Sequence, residues 1–338
     1  VKNQWKFWLG LAISAVALYL TLRGIHFDEF AATLSQAQIV WLIPAILALM
    51  VTLAVRAWRW SSLMDGSPYW TTFHAMTIGY MLNSILPFRL GEIGRAYVIG
   101  ERTNVHMARA LSSVVVERML DLASVVVLFA VFTLFLPMPP QFSSAALMGA
   151  VVIIALLIAA GVIIWQSSRV ERILERVAQR VPQLKAEVLV RSFHQLVAGF
   201  QIIRSPRKLM TSLLLTAGVW AATLFVAYFT MMAFLPARFD EVGLVVVLSN
   251  LGGALPSAPG GLGVVQFFAM QSLVIPFQVP EDIAVAFAFV WSLFQQFALI
   301  LLGFFGLVRV GLSFNSVTAK AQGQTSSQPG GQQAGIGN

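Results

Sequence analysis

Six apolar runs, at residues 7–22, 39–55, 122–136, 145–165, 209–235 and 283–308, approach or exceed the roughly 20 residues a helix needs to cross a bilayer. Only 11% of the chain is charged, whereas soluble domains sit near a quarter. Backbone exposed to lipid must satisfy its own hydrogen bonds, so the runs predict an all-α polytopic membrane protein.

The basic residues set an orientation. Residues 167–208 carry nine Lys or Arg against three Glu, which places this segment on the cytoplasmic side. Lys2 and Lys6 put the N-terminus inside; Arg309 and Lys320 do the same for the C-terminus. No small-residue cleavage site precedes Arg23, so the first run is expected to stay as a helix. The connections at 137–144, 236–242 and 277–282 hold few or no basic residues and read as external. The net charge of +8 thus belongs to cytoplasmic loops, and no nucleic-acid partner is expected. The membrane predicted is the cytoplasmic (inner) one.

Two further segments are broken in the same way. Residues 86–94 and 255–263 both read Leu-Pro-x-x-x-Gly-x-x-Gly. The breaking residues are Pro87, Gly91 and Gly94 in the first, and Pro256, Pro259 and Gly263 in the second. Pro removes a backbone donor, and Gly permits a turn with positive φ. The first break lies between two stretches that both look cytoplasmic, the second between two that look external. Two arrangements accommodate this: an ordinary kinked bundle, or two re-entrant hairpins entering from opposite faces. Interrupted segments at matching places in two halves point to a transporter's central site. The expected architecture is about six spanning helices plus two re-entrant helical hairpins in an inverted repeat, with halves at about 1–136 and 145–310. Residues 1–310 then form one transmembrane domain. Within it, 167–207 are expected to form cytoplasmic amphipathic helices, from a capping box at Ser168 and Glu171 and an apolar stripe through Val170, Ile173, Leu174 and Val177. Residues 311–338, rich in Gly, Gln, Ser and Thr, are expected to be a disordered cytoplasmic tail.

Charges in spans usually face a cavity or a partner. Asn83, Arg89, Glu92 and Arg95 surround the first break, and Glu117, Arg118 and Asp121 open a long apolar helix. Glu117 and Asp121 share a helical face at i, i+4, so cations are expected beside them, with Arg89 and Arg95 the candidates. Arg89, Arg95 and Arg118 suit a phosphate; Glu92, Glu117 and Asp121 suit a cationic headgroup or a proton. The same set also fits a structural ion-pair network. The second break is uncharged, but Ser257, Gly260 and Gly261 offer a hydroxyl and backbone amides to an anion. The chain has no cysteine, and its four histidines show no ligand spacing, so no metal and no cofactor are expected.

Together the motifs resemble the transmembrane, flippase-like domain of the lysylphosphatidylglycerol synthases over about residues 5–310. The family pattern is met by Asn83, Pro87, Arg89, Gly91, Glu92 and Arg95; by Glu117, Arg118 and Asp121; and by Pro256, Pro259, Gly260, Gly261 and Gly263. The resemblance implies translocation of a phospholipid, an anionic one here, and no enzymatic activity, because the soluble domain that attaches lysine in two-domain relatives has no counterpart in these residues. Gln266 stands near a place where the family often has Glu, and is carried over as a substrate contact. Trp291, Gln295 and Gln296 stand where the last helix often carries Arg. A lysyl-lipid substrate therefore does not follow. The rival expectations are a small-solute or ion transporter, a membrane enzyme acting on lipid-linked substrates, and an accessory subunit of a separate lipid-modifying enzyme.

Overall fold

The computed structural model describes residues 4–23, 27–64, 67–135, 205–255 and 257–322, with scattered positions between 151 and 176. Among these residues every regular element is helical. In order they are α1 (Gln4–Leu22), α2 (Phe27–Gln36), α3 (Leu42–Leu63), α4 (Tyr69–Ile85), α5 (Gly91–Arg102) and α6 (Met107–Phe135). They continue with α7 (Pro206–Met232), α8 (Phe239–Gly253), α9 (Val264–Phe277), α10 (Glu281–Val310) and α11 (Phe314–Ala321). Short 3-10 turns stand at Ile39–Trp41, Pro87–Arg89 and Pro259–Gly261.

Among the described residues, four helical segments have the length and apolarity to cross a membrane: Ile39–Leu63, Pro206–Met232, Pro259–Phe277 and Glu281–Val310. Their outer faces leave large apolar side chains uncovered. Ile43, Leu47 and Val51 on α3, Leu214 on α7, and Phe297, Leu301 and Val308 on α10 are all exposed. Water would penalise so wide an apolar exterior; lipid does not. The run at 7–22 folds into α1, whose apolar stretch Trp8–Leu22 is shorter. The expected span at 145–165, the amphipathic helices at 167–207 and Pro256 lie largely or wholly outside the described residues.

The helices repeat one pattern of contacts. α3, the pair α4–α5 and α6 are followed by α7, the pair α8–α9 and α10. Within each set the chain folds back at the Pro–Gly break, so α4 packs on α5 and α8 packs on α9. Between the sets, α3 lies along α7, α4 along α10 and α8 against α6. Glycines make the tightest crossings. A Cβ at Gly91 would overlap the Gly79 carbonyl oxygen, and one at Gly303 would overlap the Met81 side chain. α4 is therefore held at close range by α5 on one side and α10 on the other.

The two breaks are turns of different construction. At the second, Gly260, Gly261 and Gly263 all have positive φ (69°, 71° and 83°), as the sequence predicts. At the first, Gly91 and Gly94 have ordinary helical φ and serve close packing; the position with positive φ is Arg89 (52°). The expectation that the first pair of glycines turns the chain is corrected accordingly. A non-glycine held in the left-handed region is costly and is retained only where its surroundings impose it.

The C-terminal expectation is also corrected in part. Residues 314–321 form α11, which packs on α5. Val317 and Ala321 are buried, Ser313 accepts a cap hydrogen bond from the Ser316 N–H at 3.2 Å, and Arg102 donates to the Gly311 carbonyl at 2.7 Å.

Candidate functional site

Three helices bring their charges to one place. Arg59 of α3 reaches Asp121 (2.8 Å) and Glu117 (3.3 Å) of α6. Arg56, one turn earlier on α3, reaches Asp121 at 3.3 Å. Arg95 of α5 pairs with Glu117 (3.0 Å) and with Glu92 on its own helix (2.5 Å). Arg118 pairs with Glu92 (2.8 Å) and lies 3.7 Å from Asp121. Thr216 of α7 accepts from Arg59 at 3.1 Å, and the Trp60 ring lies 4.6 Å beneath the Arg95 guanidinium. Each helix contributes at a spacing of three or four residues, which puts its charges on one face.

The network has a closed floor and an open side. Arg59 and Glu117 have no exposed side-chain surface and Arg95 has 1%, whereas Glu92, Arg118 and Asp121 keep 19%, 34% and 12%. Four guanidiniums thus surround three carboxylates, each carboxylate held by at least two of them. Desolvating these ions is tolerable only because they are so densely paired.

Arg89 stands apart from the pairing. It is exposed, and its guanidinium crosses to the second hairpin to donate to the Gly253 carbonyl at the end of α8. The tips of the two hairpins therefore meet. The second tip is fixed from other sides as well: the Ala258 N–H donates to Ser14 Oγ of α1 at 2.7 Å, and Gly260 lies against the side chain of Gln296, midway along the 30-residue α10.

Two adjoining cavities open beside the network. One, of about 510 Å³, lies between the tips; its wall includes Asn83, Glu92, Ser257, Gly260 and Gly261. The other, of about 600 Å³, extends to Arg56, Asp121, Trp220, Ser249 and Trp291. Tyr80, Arg89, Arg118 and Gln296 belong to both. Each volume is in the range of small-molecule sites.

Several expected site residues take other places. Arg95 and Glu117 are buried in the floor and line neither cavity. Gln266 is 1% exposed; its Oε1 accepts from the Gly263 N–H and its Nε2 donates to Ser292, both at 2.8 Å, so it caps α9 and faces no cavity. Asn83 Oδ1 accepts from the Gly91 N–H at 2.8 Å and holds the start of α5, although the residue also borders the first cavity. Arg89, expected beside Glu117 and Asp121, is replaced there by Arg56 and Arg59. The signal for that pair was the sequence "VRAWRW": two arginines a turn apart inside an apolar helix. Removing a helix-start hydrogen bond of this kind costs about 1 kcal/mol. Gln266→Ala is thus expected to lower the unfolding midpoint in detergent while leaving the charged network intact; an unchanged midpoint would show that the cap contributes nothing.

The family model for the lysylphosphatidylglycerol synthase TM region matches residues 7–303. A UPF0104 membrane protein of Methanothermobacter thermautotrophicus is 29% identical over 268 residues, covering 74% of this chain and 78% of its own length. A UPF0104 membrane protein of Methanocaldococcus jannaschii is 23% identical over 229 residues, covering 66% of this chain and 91% of its own. No solved structure matches the chain.

Proposed function

This chain belongs to the lysylphosphatidylglycerol synthase TM region family, and from that premise we propose that it moves an anionic phospholipid, or a lipid-linked anionic headgroup, across the cytoplasmic membrane. The observation that carries this reading is the position of Arg89 and Arg118. Two guanidiniums stand on the wall common to both cavities, between the tips of two broken helix pairs. Guanidinium groups offer a phosphodiester paired donors, and their attraction is strong where water is scarce.

In this reading both helix pairs are re-entrant and enter from opposite faces. Their dimensions support it. α4, α5 and α8 have 17, 12 and 15 residues, fewer than the roughly 20 a crossing requires. The second tip also sits against Gln296 at the middle of α10. α9 with its turn is long enough to cross by length alone, so its return to the external side rests on the acidic connection at Glu281 and Asp282. Both termini lie in the cytoplasm, following the basic residues. Irregular backbone at that depth is tolerable because the tips touch each other and border a cavity. The process forms and breaks no covalent bond; the carboxylates hold the arginines in place and keep the empty site affordable.

The test is flipping in liposomes. Phospholipids labelled on an acyl chain and bearing native headgroups are quenched from outside by a membrane-impermeant reductant. Wild-type protein is expected to expose the inner-leaflet label. Arg118→Gln, which loses one charge-assisted contact of about 1.5–3 kcal/mol, is expected to slow this about tenfold or more. Glu92→Gln frees Arg118 and Arg95 from one partner and is also expected to be impaired. If the label stays protected with wild-type protein, in the presence and absence of a proton gradient, the reading fails. If both variants match wild type, the site is wrong.

A further inference from the structure

The wall that the two cavities share is built from both hairpin tips. Arg89 of the first tip, Gly253 and Gly260 of the second, and Gln296 of α10 line both cavities and so stand between them. Two contacts close this wall. The Arg89 guanidinium donates to the Gly253 carbonyl, and Gly260 lies against the Gln296 side chain. A Cβ at Gly260 would stand 2.1 Å from Gln296 Oε1, so nothing larger than glycine fits there. The Pro87–Arg89 turn also packs directly on the Pro259–Gly261 turn.

The first of these contacts is made to be exchanged. Gly253 is the last residue of α8, where carbonyls lack a partner within the helix and the helix dipole favours a cation. Arg89 supplies the cation, but its acceptor is a neutral carbonyl. Arg56, Arg59, Arg95 and Arg118 each hold a carboxylate; Arg89 is paired with none among the described residues. Its backbone is also held at φ 52°, in the left-handed region that a residue with a Cβ adopts only under constraint. Letting go of Gly253 frees that backbone to relax. A phosphodiester carries a full negative charge and can take two guanidinium donors at once, so it outcompetes a single carbonyl oxygen. The Gly253 carbonyl borders both cavities and can turn to water instead.

We propose that the Arg89–Gly253 contact is a latch that closes the vacant protein, and that a phosphodiester opens it by taking the guanidinium for itself. The proposal rests on the reading of Arg89 and Arg118 as the phosphate seat. With the latch closed, the hairpin tips are together and the cavities are separate compartments. With it open, Arg89 joins Arg118 on the phosphate, the tips part, and the two compartments become one passage. The ligand shifts the equilibrium because only the open state offers it both arginines. An empty protein thus keeps its polar path interrupted.

The experiment reads the distance between the tips, separately from transport. The chain has no cysteine, so Ile85→Cys and Leu262→Cys place two spin labels uniquely. Both positions are exposed, one beside each tip, and neither lines a cavity. The labelled protein is purified in alkyl maltoside micelles, which hold no phosphate, and the label separation is measured by electron paramagnetic resonance. Short-chain phosphatidylglycerol is expected to lengthen it by about 3 Å or more, the length of one further hydrogen bond between the tips. Short-chain diacylglycerol, which lacks the phosphate, is expected to leave it unchanged. Arg89→Asn keeps a residue that tolerates positive φ but removes the guanidinium; it is expected to give the longer separation with no lipid present. No response of the wild-type tips to phosphatidylglycerol, or an equal response to diacylglycerol, overturns the proposal, and these arms decide it even if Arg89→Asn does not fold. A folded Arg89→Asn protein with the short separation also overturns it, since the tips are then held by packing. Glycerol phosphate lengthening the separation as far as the lipid does keeps the latch and makes its trigger a soluble ester. Parting of the tips without flipping in liposomes retains the latch and removes the transport reading; flipping with the tips fixed does the reverse.

Discussion

Glu117→Ala is expected to destabilise the protein by about 3–5 kcal/mol, the usual cost of removing one partner from a buried ion pair. Glu117 is the counter-ion shared by Arg59 and Arg95, at 3.3 and 3.0 Å, and none of the three has more than 1% of its side chain exposed. Without it, four guanidiniums face two carboxylates, and the two deepest cations lose their common partner. Neither can reach water to compensate. Glu117→Gln preserves the shape and still removes the charge, so it is expected to lose most of the same stability. The measurement is the unfolding midpoint of purified protein, with yield of monodisperse material as a second readout. Arg118→Gln is the comparison: its side chain is one-third exposed at the cavity and should leave the midpoint close to wild type. A Glu117→Ala protein as stable as wild type would mean that the buried floor is held by packing and not by charge.

The other large effect is expected at Gly91. Gly→Ala inside a helix ordinarily stabilises by up to about 1 kcal/mol, through backbone entropy. Here the added methyl would run into the Gly79 carbonyl oxygen and sit 2.6 Å from Asn83 Oδ1. A backbone carbonyl cannot step aside as a side chain can, so α4 and α5 must separate. Overpacking of this kind costs about 1–3 kcal/mol or more, and the clash outweighs the entropy gain. Function should suffer further, since Glu92 directly follows Gly91 and Arg95 lies one turn beyond. Gly91→Ala is therefore expected to lower the unfolding midpoint and abolish flipping. Gly218→Ala, whose methyl would meet only Val55 at 3.6 Å, is expected to be neutral or slightly stabilising in the same assays. If Gly91→Ala behaves like Gly218→Ala, the close crossing of α4 and α5 is not what sets the site.

What could be read in advance followed from local rules. Apolar length located α3, α7 and α10, and the paired Leu-Pro-x-x-x-Gly-x-x-Gly stretches located both folds of the chain. Helical spacing put Glu117 and Asp121 on one face. What escaped depended on distant contacts. Arg56 and Arg59 are some sixty residues from Asp121, at separations of 65 and 62, and no local spacing rule joins them to it. Asn83 and Gln266 looked like ligands because a polar side chain at a helix break serves equally well as a cap. Gly91 and Gly94 looked like turn residues because only the packing of α4 against α5, and of α11 over α5, reveals that closeness is what they supply. α11 itself hides in a polar tail, where only Ser313 and the spacing of Phe314, Val317 and Ala321 mark a short amphipathic turn.

Counting Arg89, five guanidiniums and three carboxylates meet where the hairpins touch, so the vacant site carries two positive charges in surroundings that stabilise charge poorly. A bound phosphodiester removes one of them. In the proposed transport cycle the loaded form is therefore the easier one to reorient, and the return of the vacant form is the slower half. Such a carrier works best by exchange: lipid waiting on the far leaflet speeds the passage of lipid from the near one, and the first sign of it would be faster counterflow than net flow.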